Sequence, residues 1–216
     1  MTTIAHYYIN DRKAAILTIA EEVFAQYSFA GASIRLITKK SGVNLSMISY
    51  YFGSKEALYL SIFNLRLEEI TQELAVFEQL NLNPAEKLEK YLTAYTKRVA
   101  ANQNFQRLLC NELVSIQHPI IISNLTATRE HIYHFLLKIV ANGITQGCFK
   151  EIDQEVFTLN ILALIRSVAT DHLVKNIHLD GNPQEDATRR IVDYMMSTIN
   201  IKKDQHYESG SHVYLS

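Results

Sequence analysis

The sequence predicts an all-α fold of about nine helices, and three observations carry that reading. Only seven glycines and three prolines occur in 216 residues, too few for a turn-dense β-sandwich of this length. Two prolines fall where helices begin: Asn83-Pro84-Ala85-Glu86 and Asn182-Pro183-Gln184-Glu185 each read as an asparagine N-cap, a proline at the first helical position and an acid at the third. Elsewhere apolar residues recur at the helical period. With 48% hydrophobic and 20% charged residues, neither a disordered nor a fibrous chain fits.

Each element follows in order. An amphipathic helix is expected from about Asn10 to Tyr27, with Ile16, Leu17, Ala20, Val23, Phe24 and Tyr27 on one face. Gly31, Gly42 and Gly53 then divide the chain into pieces of about ten residues, giving short helices over about 33–40 and 44–50. A long helix opens at Ser54 and runs to about Phe77, and another starts near 84. Ile132, Phe135, Leu136, Ile139, Val140 and Ile144 stripe a helix between Ile120 and Ile144, with Gly143 and Gly147 marking its stop. The next runs from an Asp153 cap to about Ile177. Its apolar residues Val156, Leu159, Ile161 to Ile165, Val168 and Ala169 surround the axis, so it is expected to be buried on several sides. A last helix covers about 183–200. From Lys202 onward the polar, aperiodic segment is expected to fray.

Composition also bounds the setting. Cys110 and Cys148 lie too far apart for a metal knuckle and are too few for a disulfide framework. Asp11, Arg12 and Lys13 interrupt any secretory segment, and the apolar stretch Val156 to Ala169 contains Asn160 and Arg166 and is too short to span a bilayer. A soluble, cytoplasmic protein is expected. The first sixty residues carry Arg12, Lys13, Arg35, Lys39, Lys40 and Lys55 against Asp11, Glu21, Glu22 and Glu56, a net of +2, which leaves −3 for the remainder. That asymmetry is small, but its sign suits a nucleic-acid reader.

Ser33 to Tyr50 has the layout of a helix-turn-helix. Ile34 and Ile37 face inward, Gly42 supplies the left-handed turn, Val43 plugs the angle, and Asn44 caps a second helix in which Ile48 faces the core. Such a second helix enters the major groove; an ordinary helical corner has the same spacing. The residues themselves decide between the two. Arg12, Ile16-Leu17, Ala20, Phe24, Gly31, Ile37 and the string from Gly42 through Tyr51-Phe52-Gly53-Ser54-Lys55-Glu56-Ala57-Leu58 resemble the N-terminal domain of TetR-type transcriptional regulators, the tetracycline-repressor family. The resemblance spans residues 12–63. Ala32, Thr38, Ser41 and Ser49 depart from the family pattern; at the first, a helix cap and phosphate-contacting hydroxyl is either missing or moved to Ser33.

The resemblance implies a helix-turn-helix domain over 1–53, a helical ligand-binding and dimerisation domain over 54–203, and a flexible tail over 204–216. It implies a homodimeric repressor that holds a near-palindromic operator in duplex DNA and is released by a small-molecule effector. Lys55, in the first turn of its helix, is expected to grip a phosphate, and Tyr51 to donate its hydroxyl to the DNA backbone. Arg35 and Lys39 are further phosphate candidates. Leu45, Ser46, Met47 and Tyr50, with Ser49 beside them, are the candidates for base readout, and none is an Arg, Asn or Gln able to make a bidentate base contact. Specificity is then expected from thymine methyls, hydroxyls and DNA shape. His6, Tyr7, Tyr8 and Arg12 form either a minor-groove arm or a frayed end.

In the body, Phe63 and Leu67 on the long helix and Arg107, Asn111, Arg129 and Arg166 are the ligand candidates, with Glu112, His131, His134 and His172 as further polar groups. Arg166 stands out because a cation among Leu162, Ile165 and Ala169 wants a carboxylate or an anionic ligand. For the dimer, Ala163, Ser167 and Thr170 offer a small-residue stripe, and Ile191, Tyr194, Met195 and Ile199 an apolar one. His131 and His134, with Glu130 and His172, are too loosely spaced to specify a metal, so no metal or cofactor is expected. No phosphate loop, nucleophile elbow or paired His-acid signature marks an enzyme. The rival is a helical adaptor without DNA binding, which salt-dependent duplex binding separates from a repressor.

Overall fold

The computed structural model describes residues 2–170 and 183–201, with side chains over 12–167 and 188–201. The described residues form nine helices: α1 (Thr2–Gly31), α2 (Ile34–Ser41), α3 (Leu45–Phe52), α4 (Lys55–Gln79), α5 (Pro84–Ala101), α6 (Gln103–Ser115), α7 (Pro119–Thr145), α8 (Gln154–Thr170) and α9 (Pro183–Ile199). The fold is all-α, as the sequence predicts. Its one extended pairing among the described residues is an isolated antiparallel bridge, Phe149 to Asn200, where Lys150 N–H donates to Ile199 C=O at 3.0 Å. Expectations for His172, the Asn182 cap, the end of α8 near Ile177 and the tail lie outside the described residues, as do the side chains of His6, Tyr7, Tyr8 and Thr170.

Local chemistry explains most boundaries. Asn83 Oδ1 accepts from Glu86 N–H at 2.9 Å, so the proline start of α5 forms as its sequence prescribes. Three features differ from expectation. The first helix begins at Thr2 rather than near Asn10, and it breaks at Ser28, whose φ of 59° and ψ of 173° are non-helical. The stretch after α5 is a separate helix, because Asn102 leaves the helical region at φ −107°, ψ 49°. Gly143 is not a stop: α7 continues through it to Thr145. A Cβ there would stand 2.0 Å from Phe149 Cδ2, so the glycine makes room for a buried ring. Gly147, at φ 68°, takes the turn.

Two apolar clusters fill the molecule. One joins Ile16, Ala20, Phe24, Ile37, Ile48 and Phe52 of the first three helices to Leu58, Tyr59, Ile62 and Leu67 of α4, and continues into Phe105 and Leu108 of α6 and Ile121 and Leu125 of α7. The other packs Leu74 of α4 with α5, the rest of α7, α8 and α9. Ile70 touches both. The long α4 is therefore a shared beam, and α6 lies directly on α1.

The last two helices bury one stripe each. On α8, Phe157, Ile161, Leu162 and Ile165 point inward, while Val156, Leu159 and Ala163 are exposed. This corrects the expectation of a helix buried on several sides. On α9, Val192, Met195, Met196 and Ile199 belong to the chain's own core and Tyr194 is 64% exposed.

Candidate nucleic-acid interface and ligand cavity

The head is built from short helices held by side-chain caps. Ser33 Oγ accepts from Leu36 N–H at 3.2 Å, so the cap absent at Ala32 sits one residue later. Thr38 and Ser41 spend their hydroxyls on their own helix, donating to Arg35 C=O at 2.9 Å and Ile37 C=O at 2.7 Å, so neither leaves an unpaired group at the crossing. Gly42 adopts φ 69°, ψ 13°, which a side chain would resist. Asn44 Oδ1 then accepts from Met47 N–H at 2.9 Å and from Ser46 Oγ at 2.7 Å. A cap of this kind is worth about 1 kcal/mol.

These caps fix which side of α3 faces out. Ile48 and Phe52 are buried, while Leu45 is 56% and Tyr50 80% exposed, with Ser46 and Ser49 exposed beside them. Two readout candidates sit differently from expectation. Met47 is half-buried, and the Ser46 hydroxyl proton is committed to Asn44, leaving its oxygen as an acceptor. Tyr51 is half-buried, its ring 5.3 Å from Tyr50 and 6.2 Å from Phe52. Arg35 and Lys39 are exposed on α2. Lys55 opens α4 behind the Ser54 cap, which accepts from Ala57 N–H at 3.0 Å, and its Nζ lies over the Phe29 ring at 4.6 Å.

Behind this face lies a buried joint that sequence spacing did not reveal. The Tyr59 hydroxyl donates to Glu112 Oε1 at 3.0 Å, and His118 Nδ1 stands 2.9 Å from the same oxygen. Phe29 packs edge-on against His118 at 4.7 Å, and Tyr59 lies 5.0 Å from Phe29. Burial first, then the charge and hydrogen bond of Glu112, hold the Tyr59 hydroxyl well above its ordinary pKa of 10.0. Ile116, at φ 50° and ψ 41°, makes the tight bend between α6 and α7 that precedes His118. Beside this joint, Arg66 of α4 donates from Nε and Nη2 to Glu21 of α1 at 2.8 and 3.2 Å.

A cavity of about 460 Å³ opens between α4, α5, α6, α7 and α8. Of the ligand candidates, Leu67, Arg129 and Arg166 line it. The others do not. Phe63 is buried in the core, 5.4 Å from Phe105, while Arg107 and Asn111 face solvent on the outer side of α6. Glu112 belongs to the joint instead. Tyr95, Arg98, Gln106, Thr126 and Tyr133 line the cavity and were not singled out from sequence. Leu67, Phe105 and Leu125 are both cavity wall and part of the apolar cluster that reaches Ile37 and Ile48. Among the described residues no group of three or more His, Cys, Asp or Glu converges on a common point, and no helix is long and apolar enough to cross a membrane.

A capped helix with an exposed readout face, joined to a helical body with an internal cavity, defines a helix-turn-helix regulator. The model for bacterial regulatory proteins of the tetR family matches residues 16–62, and the tetracyclin repressor-like C-terminal domain matches 81–170. The chain belongs to the TetR family, as a ligand-responsive, DNA-binding transcriptional regulator. It is 25% identical over 147 residues to the HTH-type transcriptional regulator RutR of Escherichia coli K12, covering 68% of each chain. It is 28% identical over 137 residues to the HTH-type transcriptional repressor NicS of Pseudomonas putida, covering 63% of this chain and 65% of that one. A crystal structure of a tetR-family regulatory protein from Rhodococcus RHA1 shares the fold at a TM-score of 0.71 and 22% identity, over 88% of this chain and 97% of that one.

Proposed function

We propose that the protein is a homodimeric cytoplasmic repressor that holds a near-palindromic duplex site through two copies of α3 and releases it when a small molecule fills the cavity. The observation that carries this reading is the outward row Leu45, Ser46, Ser49 and Tyr50 on a helix locked by Ile48 and Phe52. Lys55, Arg35 and Lys39 flank it for phosphate contacts, and Tyr51 stands at its end. NicS, a named repressor, supports the sign of the effect. The protein acts by binding, without a catalytic step, in a working division of head over 1–53, body over 54–203 and tail over 204–216.

The exposed Val156 and Ala163 of α8, with half-buried Ser167, and the exposed Tyr194 and half-buried Ile191 of α9 support a two-fold contact there. The cavity supports release because its wall residues Leu67, Phe105 and Leu125 belong to the apolar cluster that continues into the head. Selection of bound sites from a random duplex library tests the whole reading. A repressor yields near-palindromes with half-sites about 34–36 Å apart, and its affinity falls steeply as salt rises. Absence of salt-dependent duplex binding would leave the helical adaptor reading in its place.

A further inference from the structure

The charge pattern of the cavity points to a class of occupant. Most of the wall is aliphatic or aromatic, including Leu67, Ile70, Val99, Phe105, Leu125 and Leu162. Three arginines enter from three helices: Arg98 from α5, Arg129 from α7 and Arg166 from α8. Tyr95 lines the same wall; burial pushes its hydroxyl pKa up, and the charges of Arg98, Arg129 and Arg166 each pull it down. Against them the lining holds one carboxylate, Glu130. Glu73 of α4 lies outside the lining and pairs with Nη1 of Arg98.

Arg98 is fixed at the wall, its guanidinium over the Tyr95 ring at 4.9 Å. Guanidinium groups presented to an otherwise apolar space bind a carboxylate more strongly than any neutral acceptor. A neutral amide supplies a weaker acceptor, and a cation is repelled by the three guanidinium groups. Size narrows the class further. At about 30 Å³ for each water-sized group, the cavity takes a body of the order of ten to fifteen heavy atoms.

We propose that the effector is an amphipathic carboxylate, with its headgroup held among Arg98, Arg129 and Arg166 and its apolar body laid against Leu67, Ile70, Val99 and Leu162. This rests on reading the cavity as the effector site, and the experiment separates the two. Octanoate, octanamide and octylammonium are titrated calorimetrically into the full-length protein and into Arg129→Gln and Arg166→Gln, two variants at exposed positions that leave the core intact. Each ligand is then added to the operator complex.

Octanoate is expected to bind at least tenfold more tightly than octanamide, with octylammonium weakest, and each arginine variant is expected to shrink the octanoate preference severalfold. Equal binding of octanoate and octanamide, no binding of octanoate, or variants that keep the full preference each overturn the proposal. Charge-selective binding that leaves operator affinity unchanged upholds the ligand class and overturns the effector reading alone.

Discussion

Glu112 shows how much one side chain joins in this molecule. One of its oxygens receives Tyr59 from α4 and faces His118 at the start of α7, and the other is buried without a partner. Removing the carboxylate strands a hydroxyl and an imidazole in a dry site, each costing about 1–3 kcal/mol. Glu112→Ala is therefore expected to lose about 3 kcal/mol in urea unfolding, and Tyr59→Phe about 1 kcal/mol; a Glu112→Ala midpoint equal to wild type would contradict this. Nothing local in the sequence marks the residue, because its phenolic partner lies 53 positions away. The position of Lys55 was legible for the opposite reason, since the Ser54 cap beside it marks a helix start. Resting on Phe29, it gives up only a weak cation–π contact to reach a phosphate. Lys55→Ala is expected to weaken all duplexes alike and reduce the salt slope by about 1; changed base preference with an unchanged slope would refute the assignment.

At the scale of the helix, caps and prolines write their meaning locally, so α2, α3, α5 and α9 were legible near their ends. The break at Asn102 and the glycine inside α7 were not. The second depends on a ring six residues onward, and in an ordinary helix Gly143→Ala would gain about 1 kcal/mol. Here the Cβ collides with Phe149, and the substitution is expected to destabilise by about 2 kcal/mol net; a raised Tm would show that the ring moves aside freely. Rotation about the helix axis escapes sequence in the same way. Arg107 and Asn111 turned outward while Gln106 and Leu109 lined the cavity.

Met195 is a second case, only 3% exposed in the protomer's own core. Met195→Asp is expected to unfold the protomer, at about 4 kcal/mol or more, and so says nothing about a dimer. Tyr194→Asp is the informative change. Circular dichroism should stay native while light scattering shifts toward monomer; an unchanged dimer would place the contact elsewhere.

For the whole molecule, the relation of cavity to head is what repression requires. A ligand releases DNA only by its preference for the conformation that binds DNA poorly, and a tenfold loss of operator affinity corresponds to about 1.4 kcal/mol of that preference. Two elements are placed to carry it: α4, which holds Lys55 at one end and Leu74 in the body core, and α6, which presents Phe105 to the cavity while lying on α1. By linkage, operator DNA must weaken ligand binding by the factor by which ligand weakens operator binding. Calorimetry with and without operator should return equal factors, and a ligand affinity indifferent to DNA would refute coupling. The first route follows from a long helix beginning at the motif, whereas the second needed a helix the sequence did not delimit.

The shared apolar cluster also limits how the protein can be taken apart. Ile16, Phe24, Ile37 and Ile48 are closed off from water by Leu58, Tyr59 and Ile62 of α4 and by Phe105 and Leu108 of α6. A fragment cut after Phe52 would keep the outward row of α3, but it would lose Lys55 and the roof over its own interior. Modularity therefore stops short of the DNA-reading surface: grafting a new specificity onto this body means exchanging the outward positions of α3 in place, not transplanting the first fifty residues as a cassette.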